Sequence, residues 1–171
     1  ATVSPIILHG CNIRWVDIDP ETCNIDLLDL ERKLTENTRA VCFVHWAGYP
    51  VDIRKITDLQ KKYYAQYGKK LHIIEDCAHC WSTKIYDKLI GTSGNTCCFS
   101  FQATKTMTTG EGGCVLTRNR KLFERMRLIR DHGLSQRGRY WHDVLGYNFR
   151  LTNIQAALGC AQFKNHSKII S

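Results

Sequence analysis

The stretch from residue 99 to residue 113 reads Phe99-Ser-Phe-Gln-Ala-Thr-Lys-Thr-Met-Thr-Thr-Gly-Glu-Gly-Gly113. It begins as the end of an apolar strand, continues with small hydroxylated residues around Lys105, and closes on glycines, which let the backbone approach a ligand. A lysine amine at a strand end can form a Schiff base with a carbonyl carbon. Strand ends in many α/β proteins also gather Gly, Thr and Lys, so this stretch alone is weak evidence for catalysis.

A second apolar stretch ends in an acid and an imidazole. It reads Leu71-His-Ile-Ile-Glu-Asp-Cys-Ala-His-Cys80, so that Asp76 closes the run and His79 follows three residues later. Pyridoxal phosphate needs a lysine for its aldehyde, a carboxylate that keeps its pyridine nitrogen protonated, and donors for its phenolic oxygen and phosphate. The two stretches together supply these groups.

The segments around Asp76 predict a βαβ unit. Ala40–His45 is a continuous apolar run of strand length, and 53–67 has an amphipathic pattern with Asp52 as its cap and Gly68 as its stop. Parallel strands joined in this way end at the same edge of a sheet. We therefore expect Asp76 and His45 at one edge, where His45 and Trp46 either line a pocket or only shape a turn.

Further elements follow from local patterns. We expect strands over 97–101 and 114–117, and a short strand or its approach at Ile6–Leu8 and Arg14–Ile18. Asn24 is the expected cap of a helix that extends to Leu34. The periodicity predicts another helix over 120–130, and the capping box at Thr152 predicts a last helix through 163.

Four motifs resemble the successive signatures of the DegT/DnrJ/EryC1/StrS family, the pyridoxal phosphate-dependent aminotransferases of nucleotide-linked keto sugars. They occur in the family's order, and the similarity runs from the first residue to about the last. The motifs are Ile74-Glu-Asp-Cys-Ala-His79, Phe99-Ser-Phe-Gln-Ala-Thr-Lys105, Thr108-Thr-Gly-Glu-Gly-Gly113 and Gly146-Tyr-Asn-Phe-Arg-Leu-Thr-Asn-Ile-Gln-Ala-Ala-Leu-Gly159.

The resemblance implies a role for each of five residues. Lys105 is implied as the Schiff-base lysine and proton shuttle, and Asp76 as the carboxylate against the pyridine nitrogen. His79 is implied to lie near the phenolic oxygen. Ser100 is implied to contact the phosphate, as is Asn148 from a neighbouring subunit. A helix-capping aspartate, a structural histidine and a surface lysine are the corresponding structural alternatives.

The resemblance also implies the fold: a three-layer α/β/α large domain of type I pyridoxal phosphate-dependent transferases, which resemble aspartate aminotransferase. Family members are longer, so residues 1–171 are expected to be the central part of this domain. The N-terminal segment and the C-terminal small domain are expected to be absent from it. Gln102 stands where relatives often have histidine, and no role is transferred to it or to Arg150.

The implied function is transfer of an amino group, with glutamate as the expected donor, to a keto-deoxysugar linked to a nucleotide diphosphate. We expect a cytoplasmic homodimer with shared active sites, a place in polysaccharide biosynthesis, and weak or no turnover by the 171 residues alone. One alternative is a non-catalytic remnant or regulatory binding protein on the same fold. Another is the sugar dehydratase branch, which resembles the same fold but replaces the lysine with histidine, so that Lys105 argues against it.

The net charge and the cysteine pattern limit which other classes of function are expected. The 24 Lys and Arg against 16 Asp and Glu give a net charge of +8, which favours anionic partners, but the basic residues form no dense run, and no nucleic-acid partner is expected. Nine cysteines suit reduced thiols. Cys77-Ala-His-Cys80 lacks a second pair at similar spacing, so we expect no metal. The longest apolar runs are too short to cross a bilayer.

Overall fold

A computed structural model describes residues 1–135 and 140–170. The chain divides into two compact units. The first comprises Ala1–Ser100 and Gly113–Leu116, and the second comprises Phe101–Gly112 and Thr117–Ser171. Arg137, Gly138 and Arg139 of the second unit lie outside the described residues.

The first unit contains three helices, a 3-10 turn at Trp46–Gly48 and all six strands. The helices are α1 (Ser4–Leu8), α2 (Leu27–Lys33) and α3 (Ile53–Tyr67). The strands are β1 (Ala40–Val44), β2 (His72–Asp76), β3 (Lys84–Ile85), β4 (Lys88–Leu89), β5 (Thr96–Ser100) and β6 (Gly113–Leu116). The second unit contains α4 (Arg120–Arg130), α5 (Asn153–Lys164) and α6 (His166–Ile169).

The main sheet has the strand order β1-β2-β5-β6. The strands β1, β2 and β5 are parallel, whereas β6 is antiparallel to β5. The strands β3 and β4 form a separate two-stranded hairpin. The predicted α/β fold is therefore confirmed, with an antiparallel edge strand in addition.

The apolar core of the first unit lies between the helices α2 and α3 and the strands β1 and β2. Burial of apolar side chains is the main favourable contribution to folding. The amphipathic pattern over 53–67 predicts an apolar stripe on α3. This stripe is confirmed at Ile56, Leu59 and Tyr63, which are all buried. The remaining members of this core are Leu30, Val41, Phe43, Val51, Leu71 and Ile73.

The helix α3 begins and ends as its sequence predicts. The Asp52 carboxylate accepts hydrogen bonds from the backbone N–H groups of Arg54 and Lys55. Gly68 ends the helix with φ of 64°, a left-handed conformation that glycine adopts without steric cost. The amphipathic helix between β1 and β2 thus completes the predicted βαβ unit.

Two local predictions at the start of the chain are wrong. Ile6–Leu8 lies in the helix α1 and not in a strand, because Pro5 stands in the first turn, where its fixed φ favours a helix. The cap of α2 is Asp26 and not Asn24. Asn24 is buried, and its side chain instead bonds the Tyr49 carbonyl and the Trp46 N–H.

The second unit follows its local sequence signals. The helix α4 has the predicted bounds, with Asn119 as its cap. The predicted capping box opens α5, where Thr152 and Gln155 bond each other's backbone. Among the residues that the structure describes, no helix has the length and apolar character needed to cross a membrane.

Candidate functional site

The first unit brings Asp76, His79 and Ser100 to one edge of the sheet. Asp76 is the last residue of β2, and Ser100 is the last residue of β5. The two strands are parallel, with Asp76 opposite Cys98, so that Ser100 lies two residues further along the neighbouring strand. Ligands of open α/β sheets bind at this carboxyl edge.

The Asp76 carboxylate is held on both of its oxygens. Oδ1 accepts the Ala78 N–H at 3.0 Å, and Oδ2 accepts the hydroxyl of Thr2 at 2.6 Å. Burial, and then the negative charge of Asp76, raise the pKa of Cys42 to about 11, and the same two causes raise the pKa of Cys98 to about 11. Asp76 therefore acts electrostatically on a thiol of each neighbouring strand.

His79 carries an unsatisfied buried nitrogen. Within the described residues, its Nδ1 atom is buried and has no hydrogen-bond partner. Its ring meets the ring of Trp46 edge-on, with centroids 6.0 Å apart. Buried polar atoms are almost always paired in native proteins, so an orphan three residues from Asp76 suggests a place for a ligand atom.

Lys105 belongs to the second unit, in the loop Phe101–Gly112. The loop is closed at its neck by the Phe101 N–H, which donates to Gly112 at 2.8 Å, and by the Thr109 N–H, which donates to Phe101 at 2.9 Å. The Lys105 side chain is half-buried, and its amine has no hydrogen bond or ion pair to any described residue. The loop presents an amine that remains available for chemistry.

The Gln102 side chain forms hydrogen bonds within the same loop. Its Oε1 atom accepts both the N–H and the hydroxyl of Thr104, at 2.9 and 2.6 Å. The Lys105 N–H donates to the Gln102 carbonyl at 3.0 Å. This turn fixes the backbone immediately before the lysine.

Asn148 lies in an extended segment of the second unit. It forms an isolated β-bridge with Asp131 at the end of α4. Arg150 donates to Asn148 Oδ1 at 3.0 Å and pairs with Asp131 at 3.3 Å. The rings of Tyr147 and Phe149 stack at 4.8 Å. The amide nitrogen of Asn148 is therefore presented by a segment whose backbone is held in place.

The sequence analysis missed a hydrogen-bond network around the fully buried carboxylate of Glu75. Glu75 Oε1 accepts the Ser93 hydroxyl and the Asn95 amide, both at 2.6 Å, and Oε2 lies 3.2 Å from His45 Nε2. Because the Val51 N–H donates to His45 Nδ1 at 3.0 Å, the ring is neutral and carries its proton on Nε2, which donates to Glu75. His45 therefore shapes the turn and does not line a pocket.

The Glu75 carboxylate stays ionised despite its burial. Burial by itself raises the pKa of Glu75, but the hydrogen bonds from His45, Ser93 and Asn95 outweigh it and lower the pKa below the ordinary value of 4.5. These partners come from the turn after β1 and from the approach to β5. The Glu75 carboxylate thus links the end of β2 to the turn after β1 and to the segment that precedes β5.

Two residues of this network, His45 and Glu75, also form a cluster of potential metal ligands with Cys77. Ligand atoms of His45, Glu75 and Cys77 lie within 4.8 Å of one another. Both nitrogens of His45 are engaged in hydrogen bonds, and a hydrogen bond with Cys97, together with burial, raises the pKa of the Cys77 thiol. Because all three residues are buried and both nitrogens of His45 have hydrogen-bond partners, we assign this cluster to the core.

The sequence profile of the DegT/DnrJ/EryC1/StrS aminotransferase family matches residues 1–171. The chain belongs to this family. Pyridoxal phosphate is the family's cofactor. Over all of its 171 residues, the chain is 41% identical to the GDP-perosamine synthase of Escherichia coli O157:H7 and covers 45% of that protein.

Two further relatives bear on the function. The chain is 37% identical over 164 residues to the pleiotropic regulatory protein of Geobacillus stearothermophilus, with 95% of the chain and 42% of the relative covered. The crystal structure of the sugar aminotransferase CalS13 from Micromonospora echinospora matches with a TM-score of 0.89 and 38% identity, over 96% of this chain and 46% of that one. The chain spans less than half the length of these relatives.

Proposed function

We propose that the protein containing this chain is a pyridoxal phosphate-dependent aminotransferase that acts on a keto-deoxysugar linked to a nucleotide diphosphate. The observation that carries the proposal is the Asp76 carboxylate at the carboxyl edge of the sheet, three residues before His79, whose buried Nδ1 atom has no partner among the described residues. The names of the relatives support the substrate class, because the Escherichia coli relative is a GDP-perosamine synthase. Glutamate is the proposed amino donor.

The described residues fit this cofactor. When bound, pyridoxal phosphate supplies an electron sink for the carbon that exchanges its amino group. The amine of Lys105, which is not engaged by any described residue, would hold the aldehyde carbon of the cofactor and, once displaced, would carry the transferred proton at Nζ. The Asp76 carboxylate would lie against the ring nitrogen, where a negative charge favours the protonated form of that nitrogen.

Three other residues orient the cofactor in this proposal. Nδ1 of His79 is the polar atom available for the phenolic oxygen. The Ser100 hydroxyl, at the end of β5, and the Asn148 amide are proposed phosphate donors, since neutral donors bind phosphate oxygens well. Asn148 is proposed to act on the cofactor of a neighbouring subunit, which makes the active unit a homodimer.

We also propose that residues 1–171 form the central part of the large cofactor-binding domain. The family match over the whole chain and the coverage of 45% of the Escherichia coli relative support this assignment. The two units would then need further segments for full activity. Weak or no turnover by the 171 residues alone is the corresponding expectation.

A second candidate is a regulatory binding protein on the same fold. The observation that favours it is the 37% identity to a relative named as a pleiotropic regulatory protein. Such a protein could bind the cofactor without transferring an amino group to a sugar. Lys105 and Asp76 are both retained here, which favours the enzyme.

Absorption spectroscopy and an amino-transfer assay test the proposal. The complete protein incubated with pyridoxal phosphate and then dialysed should show a visible band that Lys105→Ala abolishes. Glutamate should convert this band, and a nucleotide-linked keto sugar should restore it. A band without restoration by any keto sugar favours the regulatory candidate, and the absence of a band in the complete protein contradicts both.

A further inference from the structure

Thr2 makes a contact that spans nearly half of the chain. Its hydroxyl donates to Asp76 Oδ2 at 2.6 Å, over a separation of 74 positions. Thr2 is half-buried and lies just before α1 (Ser4–Leu8) in a turn closed by the Ser4 N–H, which donates to Ala1 at 3.2 Å. A short hydroxyl-to-carboxylate bond of this kind is among the stronger hydrogen bonds in proteins.

The bond completes the positioning of the Asp76 side chain. The backbone of this region is fixed on both sides, since the His45 N–H donates to the Asp76 carbonyl at 3.1 Å and the Cys77 N–H donates to Cys98 at 2.8 Å. The carboxylate itself is anchored at Oδ1 by the Ala78 N–H. With this anchor alone the carboxylate could rotate, whereas a second anchor at Oδ2 fixes its plane.

The anchored Asp76 carboxylate retains the capacity to accept a further hydrogen bond from a ligand. A carboxylate offers about four lone-pair directions, and the two hydrogen bonds use two of them. A neutral hydroxyl also leaves the negative charge intact, whereas a lysine or arginine at position 2 would neutralise it. Asp76 also acts electrostatically on the thiols of Cys42, Cys80 and Cys98, and none of these three side chains is a cation.

We propose that Thr2 is a positioning residue, which holds the Asp76 carboxylate in the orientation that meets the ring nitrogen of pyridoxal phosphate. The inference rests on the proposed function, since it assigns Thr2 a role through Asp76. Threonine suits this task because its branched Cβ restricts the rotation of the hydroxyl. The hydroxyl of Thr2 donates to Asp76, and in this proposal Thr2 acts only through that carboxylate.

The dissociation constant of pyridoxal phosphate tests this role in the complete protein. Thr2→Val removes the hydroxyl and keeps the branched shape, so we expect the dissociation constant to rise by about tenfold. Thr2→Ser keeps the hydroxyl and should remain within about threefold of the wild type. The thermal midpoints of the cofactor-free variants report whether the fold is intact.

A double-mutant cycle with Asp76→Asn separates positioning from general damage. If Thr2 acts through Asp76, Thr2→Val should change the dissociation constant by less than about twofold in the Asp76→Asn background. An equal tenfold loss in both backgrounds, or equal affinity of wild type and Thr2→Val, overturns the role of Thr2 and leaves the proposed function standing. A wild-type protein that does not bind pyridoxal phosphate overturns the proposed function instead.

Discussion

Replacing Glu75 by glutamine perturbs the hydrogen-bond network around its buried carboxylate. The three donors from His45, Ser93 and Asn95 converge on one carboxylate. An amide offers a single oxygen, and its NH₂ group would then face at least one of these donors. His45 cannot turn its ring to accept, because its Nδ1 atom already accepts the Val51 N–H.

The cost follows from the bonds that are changed. Hydrogen bonds to a charged acceptor contribute roughly 1 kcal/mol more than neutral ones, so converting three of them and rearranging one donor should cost about 2–3 kcal/mol. Glu31→Gln is a matched control, since the Glu31 carboxylate is 44% exposed and pairs with Lys62 at 2.7 Å. That change should cost less than about 1 kcal/mol.

Urea denaturation followed by circular dichroism measures both variants. In the folded protein the pKa of Glu75 is lower than its ordinary value of 4.5. The contribution of the Glu75 carboxylate to the free energy of unfolding is therefore complete above pH 4.5 and is lost as the pH falls. The difference between wild type and Glu75→Gln should therefore shrink on acidification. Equal costs for the Glu75 and Glu31 variants at neutral pH would refute the assignment of a buried anion.

Two further changes test the local structure, both measured as denaturation midpoints. Asp52→Ala removes the cap of α3 and the acceptor of the Tyr86 hydroxyl and should cost about 1–2 kcal/mol, whereas Asp52→Asn should retain most of the stability. Gly91→Ala places a Cβ atom 2.8 Å from the Phe99 ring at φ of +94° and should cost about 2–3 kcal/mol. Gly68→Ala, where no atom lies within 4 Å, should cost only about 1 kcal/mol. Equal costs for the two glycine variants, or for the two Asp52 variants, would contradict these explanations.

Elements with strong local signals were predicted well from the sequence. The helix α3 has an aspartate cap, an apolar stripe and a glycine stop within its own residues, and α5 has a capping box. Such features act over one or two helical turns, so the sequence displays them directly. The parallel pairing of β1 with β2 followed from the single helix between them.

Features that depend on distant partners were not predictable in this way. Asn24 was expected to cap a helix, but its side chain is used by Tyr49 and Trp46, which lie more than 20 residues away. Glu75 appeared only as an acid at the end of an apolar run, because its three donors come from other segments of the chain. The antiparallel edge strand β6 likewise depends on sheet order, which local periodicity does not encode.

The site residues divide in the same way, into positions that local patterns predict and contacts that depend on distant parts of the chain. The βαβ pattern placed Asp76 at the carboxyl edge of the sheet, and the register of β2 with β5 puts Ser100 at the same edge. The roles of all five site residues came from the family resemblance and stay predictions; they are Asp76, His79, Ser100, Lys105 and Asn148. Thr2 carried no local signal, since its partner is 74 positions away.

Borohydride trapping tests the central claim most directly. Reduction of the complete protein loaded with pyridoxal phosphate converts a Schiff base into a stable secondary amine, and peptide mass spectrometry then locates the label. We predict one phosphopyridoxyl group, attached to Lys105. A label on another lysine, or an unlabelled Lys105 in protein that has retained the cofactor, would contradict the account.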